Sequence, residues 1–287
     1  MAITRFRPQI WSAMTLQATE TKLVYGSPAI VNRNYEGEIA DAGDTVKITS
    51  ISDPTVSTYV PNSTSITPEE LTDAQRNLVI DQAKYVAYRV DDVDARQSKG
   101  NVMPEATRRA GYQLAKTADS SIASLYTGVD SANALGTVAV TTAALAYTQL
   151  RLLMLKLDEA DVPEDSRYVV ARPWFWSLLT ESDSKLIDAS IRGGDGGQTL
   201  RTGWVGHMSL LGFDCYKSNQ SPLVTGDDYA VQAGHPQAIT FAQQINRMEA
   251  YRPESSFSDA VKGLHLYGYK LVRPSFIATV IASQTAL

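Results

Sequence analysis

The sequence predicts an α+β fold, and three observations carry that prediction. A long amphipathic helix is expected near 104–127. Two β-rich runs bracket an unusually long polar ribbon at 52–83. A β-rich tail follows residue 238.

The chain opens with a short predicted helix over 8–25, started by Pro8, with Ile10, Trp11, Met14 and Ala18 able to share one side. GSPAIVNRNYEG (26–37) breaks it. The first 35 residues hold Arg5, Arg7, Lys22 and Arg33 against Glu20 alone, so a positive arm leads into a negative protein. Such an arm suits an acidic neighbouring surface or a solvated terminus.

A turn at Ala42-Gly43-Asp44 precedes a β-rich run with Val46, Ile48 and Ile51. Its expected partner is KYVAYRV (84–90), where Tyr85, Ala87 and Arg89 alternate with Val86, Tyr88 and Val90. The ribbon between them is rich in Ser and Thr and carries Pro54, Pro61 and Pro68. It far exceeds the roughly 2–6 residues that usually join paired strands. Val56, Tyr59 and Val60, then Leu78, Val79 and Ile80, keep enough β character to predict an extended two-stranded flap. An isolated two-stranded flap is marginal in water, so it is expected to need a partner surface.

Pro104 and Glu105 open the long helix, whose Ala110, Leu114, Ala118, Ile122 and Leu125 recur at spacings of three and four. GVDSANALGTVAVTTAALAY (128–147) reads as a loose connection and a domain boundary. An α/β block follows: Leu150, Leu153, Met154 and Leu157 at helical spacing, a buried strand at RYVVA (167–171), and a second helix opened by Pro173. IRGGDGGQTLRTG (191–203) places four glycines around Asp195, but no Gly-Lys-Ser/Thr follows, so it is not a phosphate-binding loop. In the tail, Pro274 restricts its segment to an edge, a bulge or a strand start.

Composition narrows the chemistry. With 26 Lys+Arg against 31 Asp+Glu the net charge is -5, which lacks the overall footprint of a duplex-binding protein. The single cysteine, Cys215, excludes an intramolecular disulfide framework and multi-cysteine zinc sites, and fits synthesis in a reducing cytosol. No segment approaches the roughly 18 apolar residues of a membrane helix, and the N-terminus lacks a continuous signal-peptide core. A soluble, cytosolic product is expected.

Candidate catalytic groups fare poorly. Asp91, Asp92 and Asp94 lack the glycine and closing glutamate of a calcium loop, and nothing in their hydrophilic setting would desolvate one carboxyl for acid/base work. His207, His235 and His265 show no metal-ligand spacing, and no G-x-S-x-G elbow exists. The expectation is a non-enzymatic chain with no cofactor and no metal.

Four longer words carry a resemblance: NRNYEGEIADAGDTVKI, YVAYRVDDVDARQS, GWVGHMSLLGFDCYKSN and YGYKLVRPSFIATVIA. With the order of parts, they make the chain resemble the major capsid protein of tailed bacteriophages, a fold also seen in encapsulins and the herpesvirus shell floor. The resemblance implies an N-terminal arm at 1–35 and a first part of a peripheral domain at 36–139. That part would include an extended loop at 48–83 and a spine helix at 101–127. An axial domain would span 140–240, and 241–287 would return to the peripheral domain, its final strand forming a sheet with 84–98.

Contacts between subunits would involve Arg5, Arg7, Trp11, Val56, Tyr59, Val60 and Leu78. Gly193, Gly194, Asp195, Gly196 and Gly197 would form an axial loop around five- and six-fold axes. The implied function is self-assembly of pentamers and hexamers into an icosahedral shell around phage double-stranded DNA. A separate scaffolding protein, a portal protein at one vertex and a decoration protein are the implied partners, with weak, non-specific DNA contact and no membrane. The product would be a virion capsid assembled in the host cytoplasm. Some relatives crosslink through a loop lysine, but no lysine lies between Lys47 and Lys84, so non-covalent shells are expected. The alternatives are an encapsulin-like cargo compartment and a cytosolic metal-dependent enzyme using the acidic cluster.

Overall fold

The computed structural model describes residues 24–36, 45–51, 55–58, 61, 73–91, 102–179 and 209–284. Along the chain come β1 (Thr45–Ile51), β2 (Asp73–Val79), β3 (Gln82–Asp91), α1 (Val102–Ala123), β4 (Ala134–Ala139), α2 (Ala143–Glu159) and β5 (Tyr168–Ala171). Then follow α3 (Pro173–Leu178), β6 (Ser209–Leu210), β7 (Phe213–Lys217), β8 (Leu223–Thr225), β9 (Asp228–Gly234), β10 (Ile239–Tyr251), β11 (Ser258–Leu271) and β12 (Ile277–Ser283). The helix expected over 8–25 and the glycine-rich 191–203 lie essentially outside the described residues.

Tyr-Val-Val-Ala has no polar alternation because neither face of β5 meets water. Val169 and Ala171 join one core with Leu150, Leu153 and Leu157 of α2 and with Phe175 and Trp176 of α3. Tyr168 and Val170 join a second core with Ala115, Ala118 and Ile122 of α1, and with Tyr25, Ile239 and Phe241. A sheet strand covered by helices on both sides reads as a continuous apolar run.

The seven-stranded sheet runs β4-β12-β9-β5-β7-β6, with β8 attached to β9. Its β6–β7 hairpin turns on Leu211 and Gly212, both at positive φ (55° and 78°), as a two-residue loop of matching twist demands. Two sequence expectations are corrected here. The stretch 128–147 contains β4 and the start of α2, which Thr142 caps by accepting from the Leu145 N–H at 3.3 Å. The final strand, β12, pairs with β9 and β4 in this sheet and not with the strand at 84–90.

The second sheet is three-stranded, β10-β11-β3, all antiparallel. This corrects the expected pairing of 45–51 with 84–90. β3 takes β11 as partner, while β1 pairs with β2, from Thr45 opposite Val79 to Ile51 opposite Asp73. The local β patterns were sound, but alternation carries no information about which strand a strand will join. Pro274 opens a short 3-10 turn that delivers the chain into β12, which is the third of the places expected for it: an edge, a bulge or a strand start.

The spine helix α1 buries Ala110, Leu114, Ala118 and Ile122, the predicted stripe. Leu125 falls in the 3-10 turn that extends it and is partly buried. Tyr88 of β3 and Tyr267 of β11 share hydroxyl hydrogen bonds with Thr107 (2.7 Å) and Ser121 (3.0 Å) of this helix. They tie it to the three-stranded sheet.

Candidate assembly surfaces

The β1–β2 hairpin is the base of the predicted flap. Its root does not wait for another molecule. Val46, Ile48 and Leu78 are buried against Ala242 of β10, with Tyr35, Ile80 and Val272 alongside. Leu78, expected to face a neighbour, is 0% exposed within its own chain. Burial of one such leucine is worth about 1.5–3 kcal/mol. A Cβ on Gly268 would collide with the Val79 carbonyl oxygen and crowd Ile80, so only glycine lets the flap root approach β11 this closely. The Arg76 guanidinium donates to the Leu271 carbonyl at 3.4 Å and adds a polar tie.

Beyond the root the character changes. Thr55, Val56, Ser57 and Thr58 are all exposed, Val56 at 96%. Tyr59 and Val60, like Arg5, Arg7, Trp11, Gly193, Gly194, Asp195, Gly196 and Gly197, lie outside the described residues.

A second surface was missed by sequence reasoning. The face of the three-stranded sheet away from α1 carries Tyr85 (79% exposed) opposite Leu264, with Tyr251 further along and Phe257 (81% exposed) in the β10–β11 connection. The signal was present: Tyr85, Ala87 and Arg89 share one side of a strand that has no polar alternation to spare. The ion pair of Glu249 and Lys262 (2.8 Å) and Arg89 lie on the same face, so its apolar side chains are interleaved with charge.

The root of the arm is bound to the spine. Tyr25 is fully buried and its hydroxyl meets Ser221 Oγ at 3.1 Å. The Val24 N–H donates to both oxygens of Asp119 (2.9 and 3.1 Å), and the Gly26 N–H lies at 3.5 Å from Oδ1. Burial raises the Asp119 carboxyl to about 6, against the opposing pull of the Val24, Gly26 and Tyr25 backbone N–H groups. Asn32 then adds a parallel bridge to Thr240.

The groups considered for chemistry are not brought together. Asp91 ends β3, while Asp92, Asp94 and His207 lie outside the described residues. His235 accepts from the Gln237 N–H through Nδ1 (3.3 Å), and Cys215 is buried. His265 is buried between α1 and the sheet, where burial pushes its pKa down to about 4. Among the described residues no three His, Cys, Asp or Glu side chains gather as a metal site. One cleft of about 530 Å3 is lined by residues including Asn32, Arg33, Ser166, His235 and Arg273, and none of its described lining residues is a carboxylate. No helix among them is long and apolar enough to cross a membrane.

Comparison with known proteins places these surfaces in context. A family model described as phage capsid protein matches residues 75–280. A solved structure from Mycobacterium phage Che8 is 34% identical, with 92% of each chain covered and a TM-score of 0.77. A capsid structure of the cyanophage P-SCSP1u is 18% identical over 85% of each chain, with a TM-score of 0.69. The mature capsid of bacteriophage PhiM1 is 18% identical over 86% of this chain and 85% of its own, with a TM-score of 0.68. These two share the fold. No curated protein sequence matches the chain.

Proposed function

This chain belongs to the phage capsid protein family, and from that membership we propose that it is a major shell subunit whose copies close as pentamers and hexamers into an icosahedral container for double-stranded DNA. Its role is structural and not enzymatic. Its place is the virion capsid.

The observation that carries the mode of assembly is the flap: fixed at its root by Val46, Ile48 and Leu78, and bare at Val56. A hairpin anchored at its root and exposed at 55–58 gains from burial on a second copy, at roughly 25 cal/mol per Å2 of apolar surface. Each subunit both gives a flap and receives one, so modest contacts accumulate around a closed shell.

In this reading residues 1–35 are the arm, 36–139 and 241–287 the peripheral domain, and 140–240 the axial domain with Gly193–Gly197 near the symmetry axes. The strands at 134–139 and 277–283 pair into the same sheet as β5 and are added to the central block. A scaffolding protein, a portal at one vertex, a decoration protein and assembly in the host cytoplasm complete the proposal. The net charge of -5 supports weak, non-specific contact with packaged DNA.

The test is electron microscopy of the purified chain, alone and co-produced with a candidate scaffolding protein. Rings of five and six and closed particles are expected. A monomer at every concentration, with 55–58 protected from solvent by its own body, would overturn the proposal.

A further inference from the structure

The point where the chain enters the body is held by an unusual pair of partners. Asp119 is 2% exposed, and its carboxylate oxygens accept from the backbone of Val24 and Gly26, residues 95 and 93 positions earlier. Among the described residues no cation pairs with it. The Tyr25 phenol, buried beside it, is directed to Ser221 and is itself pushed up in pKa, chiefly by burial. Tyr168 packs in the same core and is raised by burial as well. The Arg172 guanidinium bears on Tyr25, stands over the Tyr229 ring at 3.8 Å and donates to the Asn219 carbonyl. On α1 itself Lys116 points to solvent, and the facing 218–221 loop contributes only Ser218, Asn219, Gln220 and Ser221.

We propose that Asp119 is the positioning residue of the arm root: it clasps residues 24–26 to the spine helix, and the strength of the clasp is set by whether its carboxyl carries a proton. Burying an ionised carboxylate against backbone N–H groups satisfies its hydrogen bonds, but among the described residues its charge meets no counter-ion.

The sign follows from linkage. In the docked state the group titrates near 6, whereas undocking returns it to water and to its ordinary value of 3.8. The docked state therefore binds the proton more tightly, and docking strengthens as pH falls through about 6 toward 3.8. At neutral pH the charged carboxylate is a standing cost that undocking relieves. The root is consequently poised: held by Tyr25, Ile30 and Val31 in the core, yet loosened at the buried carboxylate of Asp119. Docking of 24–26 fixes the point at which the described chain joins the spine helix. In the shell reading, on which the functional sense of the clasp rests, that point is the root of the basic arm.

Amide exchange of the full-length chain, followed by mass spectrometry on peptides covering 24–31 and corrected for intrinsic rates, tests the clasp without requiring assembly. Protection of these peptides should rise about twentyfold between pH 7.5 and 4.5, while peptides from β5 and β9 report global folding. Asp119→Asn keeps an acceptor oxygen without the charge, so its root should be protected equally at both pH values. Asp119→Ala removes the acceptors, and its root should exchange rapidly at both. Wild-type protection that does not change with pH, or a slope that persists in Asp119→Asn, would overturn the proposal. Particle formation, scored separately, leaves the shell reading to stand or fall alone.

Discussion

At the residue scale, burial of polar groups decides most of what is particular to this chain. His265 is the sharpest case. It sits on β11 with its ring 5.1 Å from that of Tyr267, its cross-strand neighbour on β3 is Lys84, and among the described residues neither ring nitrogen has a hydrogen-bond partner. Burial lowers its pKa to about 4, so the folded state releases a proton that the unfolded state holds below about 6.5. Stability from this site is complete above about 6.5 and declines as pH falls toward 4. Replacing it with leucine should shrink the loss of unfolding free energy between pH 7 and 4.5 by about 2–3 kcal/mol. Urea melts at the two pH values measure this, and parallel losses in both proteins would refute it. In the sequence His265 was a lone histidine without metal spacing. Its burial arises only when strands from the first third and the last quarter of the chain meet.

At the element scale, the flap is the structure that the sequence half-disclosed. Val56 and the Ser/Thr-rich ribbon predicted a two-stranded projection, and β1 with β2 forms its base. Leu78 looked equally suited to a neighbour, but the Ala242–Gly268 part of the three-stranded sheet is a cradle of small residues that admits it. Sequence spacing cannot show that two small residues on separate strands lie side by side. Gly268→Ala should therefore force β2 away from β11 without emptying the main cores. Faster proteolysis within 45–79 and fewer closed particles are expected, with the cooperative melt of the rest little changed. Normal particles from Gly268→Ala would show that the close approach is dispensable.

At the scale of the whole molecule, two cores lie on opposite faces of β5, and in the proposed shell the flap and the arm make the contacts between subunits. A charge at the exposed flap should then weaken assembly while leaving the fold alone. Val56→Asp is expected to raise the concentration needed for particles at least tenfold, by light scattering, with an unchanged circular-dichroism spectrum. Shells that do form should fall to single chains in hot detergent, since 48–83 contains no lysine for a crosslink. Val56→Asp assembling like the parent would remove the flap from the set of contacts. A ladder of bonded oligomers on a denaturing gel would contradict the non-covalent shell.

Local pattern alone was enough for the long helix with its stripe from Ala110 to Ile122, the buried strand at 168–171 and the helix opened by Pro173, because each depends on residues a few positions apart. Pairing was another matter. That β1 would choose β2, that β3 would choose β11, that β12 would cross to β9, and that Asp119 would hold Val24 depended on contacts between distant segments. Hydrophobic periodicity tells a segment which side to bury, whereas the partner that buries it is selected by the shape and polarity of the whole assembled core.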